Sequence, residues 1–272
     1  MIHSDSSLVD AIIEHLSNNG GSAPATELVS DVMGLANCTP EMAVSLIRGG
    51  LPADGRLSVN GDGIVQLHKP DKDDPSIDDL EYVVVDIEAT SLPAPSNRMT
   101  EFAAVLVEKG EIIGDYTTLV NPGIPIPRYV RQMTGITNEM VKEAPPFEEL
   151  ADEILEVLSD RVIVAHNSSF DVGLLNAEFQ RAKGITLDNR NLCTVKMARK
   201  LQPGLDKYRL GNVAEYYGIE IEDRHRAYAD AEATARILLH LLERARERGM
   251  THWSHLAKIA GSPKSESEET SD

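Results

Sequence analysis

The run Tyr82-Val83-Val84-Val85 is unbroken in apolar, mostly β-branched residues, the composition of a central strand buried on both faces. It runs directly into Asp86-Ile87-Glu88. Alternate side chains of a strand point the same way, so Asp86 and Glu88 share a face at the edge of a core. Two carboxylates ~5 Å apart repel by about 3 kcal/mol at an effective dielectric of ~20. Such a pair calls for a counter-ion, and the first base downstream is Arg98. A divalent cation with hard oxygen ligands meets that need. Taken alone, the pair reads more simply as two solvated acids at a strand end.

Strand and helix patterns alternate around this run. Phe102–Val107 and Glu111–Leu119 read as strands joined through Lys109-Gly110, and Val162–Ala165 reads as another buried strand. Helices are expected at Phe147–Leu158, Asp171–Lys183, Thr194–Leu201, Leu210–Tyr217 and Ala229–Arg246. Strands followed by helices that pack on them predict an α/β class.

A separate unit precedes this region. Leu8, Ile12, Ile13 and Leu16 recur at helical spacing, and Ala25–Leu35 is a second helix candidate. Thr39-Pro40-Glu41 is a helix start, with Thr39 as N-cap and Met42, Leu46 and Ile47 expected on one face. Leu57–Val59 and Ile64–Leu67 flank Asn60-Gly61-Asp62-Gly63, a hairpin signal. Three helices and a hairpin resemble a winged helix. Its bases, Arg48, Arg56, Lys69 and Lys72, are outnumbered by Asp5, Asp10, Glu14, Glu27, Asp31, Glu41, Asp54 and Asp62. That balance favours contact with protein, or a spacer role, over reading of a DNA sequence. The expected boundaries are 1–69 for this winged-helix-like domain, 70–79 for a charged, proline-bearing linker, 80–248 for the larger domain, and 249–272 for a polar, disordered tail.

The formal net charge of -18 argues against a protein that blankets duplex phosphates with Lys and Arg. It does not argue against a site that gathers carboxylates around metal ions, since the ions themselves then meet the phosphate. Two distant cysteines, Cys38 and Cys193, suggest a reduced, cytoplasmic protein. No signal peptide is visible, and no stretch approaches the ~20 apolar residues of a membrane helix.

Two further clusters carry chemistry. The strand Val162–Ala165 delivers His166-Asn167-Ser168-Ser169-Phe170-Asp171, in which Asp171 alone would pass for a helix cap. His225-Arg226-Ala227-Tyr228-Ala229-Asp230 opens the last long helix. A lone His225 would pass for a hydrogen-bonded surface residue. The alanines that follow let the start of this helix approach the sheet, so Asp230 could reach Asp86 and Glu88.

Together, Asp86-Ile87-Glu88-Ala89-Thr90, Asn167-Ser168-Ser169-Phe170-Asp171 and His225-Arg226-Ala227-Tyr228-Ala229-Asp230 resemble the three motifs of the DEDDh 3′→5′ exonucleases. That family includes the proofreading epsilon subunit of DNA polymerase III and the exonuclease insert of Gram-positive replicative polymerases. The resemblance covers roughly Tyr82 to Leu242. It implies a ribonuclease-H-like fold, a five-stranded mixed sheet with helices on both faces. It implies that Asp86, Glu88, Asp230 and Asp171 hold two Mg²⁺ or Mn²⁺ ions, and that His225 is the general base. It implies that Ala89, Thr90, Leu92, Glu101, Asn167 and Phe170 line the groove for the 3′-terminal nucleotide. Relatives usually read D-x-E-T-T-G, so Ala89 and Ser91 depart from the pattern, as does Ala103 at a usual glycine.

The expected function is release of nucleoside monophosphates from the 3′ end of DNA, single-stranded or frayed, in proofreading or repair. RNA trimming by the same chemistry, and a winged-helix adaptor with a protein partner, are the alternatives.

Overall fold

A computed structural model describes residues 5–50, 57–67, 74–90 and 96–261. The chain divides into two compact units between Ser76 and Ile77.

The first unit runs α1 (Asp5–Asn18), β1 (Ser22–Pro24), α2 (Ala25–Asp31), α3 (Pro40–Gly50), β2 (Leu57–Val59) and β3 (Ile64–Leu67). Asn60 fixes the β2–β3 turn, its Oδ1 accepting from the N–H groups of Asp62 at 3.0 Å and Ile64 at 2.9 Å. β1, a strand that the sequence pattern does not announce, pairs antiparallel with the other edge of β3. Val9, Ile12, Leu16, Leu28, Val29, Ala43, Ile47 and Val65 form one core. Thr39 accepts from the Met42 N–H at 3.3 Å, and α3 starts at Pro40 as its sequence requires. The face expected of α3 is different, however. Ala43 and Ile47 point inward, whereas Met42 is 56% and Leu46 37% exposed. α2 stops at Asp31, short of the expected Leu35, which is exposed. Arg56, Asp54, Lys69 and Lys72 lie outside the described residues.

The second unit is built on a five-stranded mixed sheet. Its strands are β4 (Tyr82–Ala89), β5 (Met99–Glu108), β6 (Glu111–Leu119), β7 (Val162–Ala165) and β8 (Asn191–Cys193), in the spatial order β6-β5-β4-β7-β8. β4–β5 and β5–β6 are antiparallel, and β4–β7 and β7–β8 are parallel. Two short helices, α4 (Arg128–Thr134) and α5 (Asn138–Lys142), cover a small satellite core of Ile126, Val130, Ile136 and Val141. The period of two along β4 divides the main core. Val83, Val85 and Ile87 face α6 (Phe147–Leu158) and α7 (Ser168–Lys183). Tyr82 and Val84 face α8 (Thr194–Leu201), α9 (Leu210–Tyr216), α10 (Ala227–Glu247) and α11 (Trp253–Ala260).

Several boundaries of this unit differ from the sequence reading, β5 among them, which begins at Met99 rather than Phe102. α7 begins at Ser168, so Asp171 sits within its first turn rather than capping it. α10 begins at Ala227, two residues early. The stretch after Arg248 is not a disordered tail throughout: α11 buries Leu256 and Ala260 against the α8–α10 core, and Ile77 joins the same core. The Ile77 N–H donates to the Thr251 carbonyl at 3.0 Å, which ties the two ends of this unit together. No helix among the described residues is long and apolar enough to cross a membrane.

Candidate active site

The site forms where β4 leaves the core. Asp86 and Glu88 follow Tyr82 and Val84 on the α10 face of the sheet, opposite Ala103 and Glu101 of β5. A bulge between Glu88 and Ala89 ends the regular pairing. Ala227, Ala231 and Ala235 are fully buried against the same face. Their small side chains let α10 lie close to the strands, and that places Asp230 beside Glu88. Ligand atoms of Glu88, His225 and Asp230 lie within 4.8 Å of one another. Asp171 reaches the cluster from the other side, its carboxylate accepting from the backbone N–H groups of Ile87 and of Asp171 itself. Three separate segments thus bring four carboxylates and an imidazole together.

The electrostatics follow from that crowding. Burial first, then the Asp171, Asp230, Glu88 and Glu101 carboxylates, hold the Asp86 carboxyl well above the usual range. Glu88 is pushed up to about 8 by burial and then by Asp230, Glu101 and Asp171, with Arg226 pulling the other way. Burial raises Asp171 to about 7 against its two backbone hydrogen bonds. Asp230 is also raised by burial, although the His225 N–H donates to its Oδ2 at 3.1 Å. Asp230 Oδ1 is buried without a hydrogen-bond partner. Buried, mutually repelling carboxylates with an orphaned oxygen are the donor set of a hard divalent cation. These residues therefore fit such an ion.

The other expected site residues fall into two groups. Asn167 is exposed in a left-handed conformation, φ 84°, and Phe170 and Ala89 are partly exposed beside it and at the bulge. Thr90 is instead turned inward, its Oγ1 accepting from the Arg98 N–H at 3.0 Å and facing Asn97 Oδ1 at 3.5 Å. Glu101 is buried and held. Arg226 donates to it through Nη2 at 2.6 Å and Nε at 3.2 Å, and the Ala227 N–H donates at 2.9 Å. Leu92, together with Ser91, lies outside the described residues.

Arg226 is a residue beside the carboxylate cluster that sequence reasoning does not single out. Along the chain, the first base after Asp86 is Arg98. Arg98 is committed to Glu178, Nε to Oε1 at 3.1 Å, whereas the base beside the carboxylates comes from the start of α10. The signal available is a lone arginine between His225 and Asp230. Arg226→Met would leave Glu101 with only the Ala227 N–H. Its expected cost is about 1–3 kcal/mol, read by urea unfolding; an unchanged midpoint would show that the pair adds no stability.

His166 braces the second segment. Its Nε2 lies 3.0 Å from the Tyr208 carbonyl and its Nδ1 2.9 Å from Thr194 Oγ1. A carbonyl can only accept, so Nε2 carries the proton and Nδ1 accepts from the hydroxyl. Burial lowers its pKa to about 4, so the ring stays neutral.

The exonuclease family model matches residues 83–238. The chain belongs to the exonuclease family. Over 165 residues it is 41% identical to DNA polymerase III subunit epsilon of Aquifex aeolicus, spanning 61% of this chain and 82% of that protein. Over 179 residues it is 36% identical to the PolC-type DNA polymerase III of Caldanaerobacter subterraneus, 66% of this chain but 13% of that polymerase. Among solved structures, Exonuclease X in complex with 5′ overhanging duplex DNA superposes with a TM-score of 0.54 at 27% identity, covering 65% of this chain and 98% of that one. The nuclease domain of 3′hExo, a DEDDh family member bound to rAMP, shares the fold, with a TM-score of 0.54 at 22% identity over 60% of this chain and 92% of its own. Exonucleases of the DEDDh family use divalent metal ions, in accord with the carboxylate cluster.

Proposed function

We propose that this chain is a metal-dependent 3′→5′ exonuclease that releases nucleoside monophosphates from the 3′ end of DNA. The observation that carries the reading is the convergence of Asp86, Glu88, Asp171, His225 and Asp230 from three chain segments at one edge of the sheet. Asp86, Glu88, Asp230 and Asp171 are the residues to hold two Mg²⁺ or Mn²⁺ ions. When bound, such ions supply Lewis acidity toward the phosphate and the attacking water. His225 accepts the proton of that water at a ring nitrogen. Ala89, Asn167 and Phe170 are groove residues for the terminal nucleotide, and family resemblance assigns Leu92 the same role. Glu101 orients the start of α10 through Arg226 and contributes to the groove from there. Thr90 supports the turn that presents the groove.

The similarity to a DNA polymerase III subunit favours DNA and a proofreading or repair setting. Free Cys38 and Cys193 accord with a reduced cytoplasm. For the first unit we propose a winged-helix-like, protein-contacting role, supported by the exposed Met42 and Leu46 on α3.

The test uses 5′-labelled single-stranded DNA, duplex DNA and RNA with Mg²⁺ or Mn²⁺. A ladder that shortens from the 3′ end, fastest on unpaired DNA, is expected. Faster shortening of RNA would replace the DNA assignment, and internal cuts would refute the exonuclease reading.

A further inference from the structure

Three bases converge on one cavity of this acidic chain. Lys207, Arg209 and Arg224 line an open cavity of about 370 Å³ together with Gly211, Asn212 and Glu215. Glu215 is the acid in that lining, which leaves an excess of two positive charges. None of the three bases forms an ion pair among the described residues, although acids outnumber bases 44 to 26 in the chain. Other arginines here are engaged, Arg226 with Glu101 and Arg161 with Glu81. Gly211 makes room for the arrangement. A side-chain carbon there would stand 3.1 Å from Arg224 Nη1 and 3.3 Å from its Cζ.

Two links join the lining of the cavity to segments that carry site residues. His166, which precedes Asn167, is hydrogen-bonded to the carbonyl of Tyr208, between Lys207 and Arg209. Arg224 precedes His225, and its charge is felt at Asp230. Asp223 and His225 both adopt left-handed backbone conformations, φ 53° and 67°. Such conformations are uncommon for residues other than glycine. A ligand gripped by Arg224 therefore also bears on the backbone that positions His225.

We propose that Lys207, Arg209 and Arg224 form a subsite for an internucleotide phosphate of the substrate strand, upstream of the bond that is cut, and that its occupation helps set the His225 loop. The inference rests on the exonuclease reading for the identity of the strand, while the subsite is measurable by binding alone. A single phosphodiester suits the site. It needs a cluster of bases outside ion pairs and no base-reading groove, and the cavity joins the loop that His166 contacts to the segment that carries His225.

The experiment measures binding of a fluorescein-labelled oligothymidylate to the full chain by anisotropy, in Ca²⁺ without Mg²⁺ or Mn²⁺. The variant K207Q/R209Q/R224Q is compared with wild type and with K109Q/K142Q/K258Q, which removes the same charge elsewhere. The subsite variant is expected to raise Kd at least ten-fold. Its plot of log Kd against log salt should be shallower by about 0.7 for each phosphate that the protein no longer neutralises. The control is expected to stay within two-fold of wild type. Unchanged affinity and slope in the subsite variant, or an equal weakening in the control, overturns the proposal. So does a wild type that does not bind the strand, or displacement of the strand by inorganic phosphate or thymidine monophosphate as readily as by unlabelled strand. A wild type that binds here but cleaves no strand once Mg²⁺ or Mn²⁺ is supplied would sink the exonuclease reading and leave the subsite standing.

Discussion

Asp86→Asn is expected to lower kcat by a factor of about 10³ or more while raising the melting temperature of the metal-free protein. Both effects come from one charge. Asp86 lies half-buried among Asp171, Asp230, Glu88 and Glu101, and desolvation adds to their repulsion. Removing its charge relieves repulsion, which at roughly 2–4 °C per kcal/mol is worth a few degrees. It also removes a central ligand from the donor set, and metal stabilisation of the reacting phosphate is worth several kcal/mol. Steady-state assays and thermal melts in EDTA check the two halves. Activity close to wild type would remove Asp86 from the site. A lower melting temperature in EDTA would mean that its carboxylate is stabilising and that the crowding is relieved in some other way.

The second large effect is a stability that falls as pH rises, and that a divalent ion restores. Glu88 ionises near pH 8 in the folded protein and near 4.5 otherwise. The folded state therefore holds a proton that the unfolded state has released. Stability is full below about 4.5 and declines as pH climbs through about 8, on the order of 4–5 kcal/mol for Glu88 alone. His166 acts in the opposite sense and lower down. Its folded pKa of about 4 lies below the ordinary 6.5, so it costs stability as pH falls through that window. Above pH ~6.5 His166 drops out, and Glu88 and Asp171, the latter raised to about 7, act in the same direction. There, metal-free protein should grow easier to unfold in urea toward pH 8, and Mn²⁺ should stabilise more at pH 8 than at pH 6.5. Mn²⁺ binding near pH 7 should release protons, measured by calorimetry in buffers of different ionisation heat. Stability that rises over this range without metal, with no proton release, would contradict the assigned electrostatics.

The parts of the molecule that the sequence discloses share a physical cause. Tyr82–Val85 and Val162–Ala165 are apolar without interruption because both faces of a central strand are covered, and both form strands as read. β8 has three residues and begins with a polar Asn191, too little pattern to detect, and the sheet alone defines it. α11 is short, and the sequence reading passes over its apolar residues Trp253, Leu256, Ile259 and Ala260 by grouping them with the polar Ser- and Glu-rich stretch that follows Gly261. On α3 the apolar count misleads, since Ala43 is buried where Met42 is expected. In the site, the shared face of Asp86 and Glu88 follows from a period of two. The approach of Asp230 is legible in the alanines of α10. The union of Asp171 with the others comes from family resemblance, because spacing along the chain cannot report which loops meet. The Arg226–Glu101 pair joins residues far apart in sequence and has no local signature.

The most direct measurement follows a label placed on the 3′-terminal nucleotide of single-stranded DNA incubated with the full chain and Mg²⁺. The expected result is that the first labelled product is a nucleoside monophosphate, absent in EDTA and with Asp86→Asn. Label that stays on longer fragments while the strand is degraded, or release that Asp86→Asn sustains at the wild-type rate, would contradict 3′→5′ hydrolysis at this carboxylate cluster.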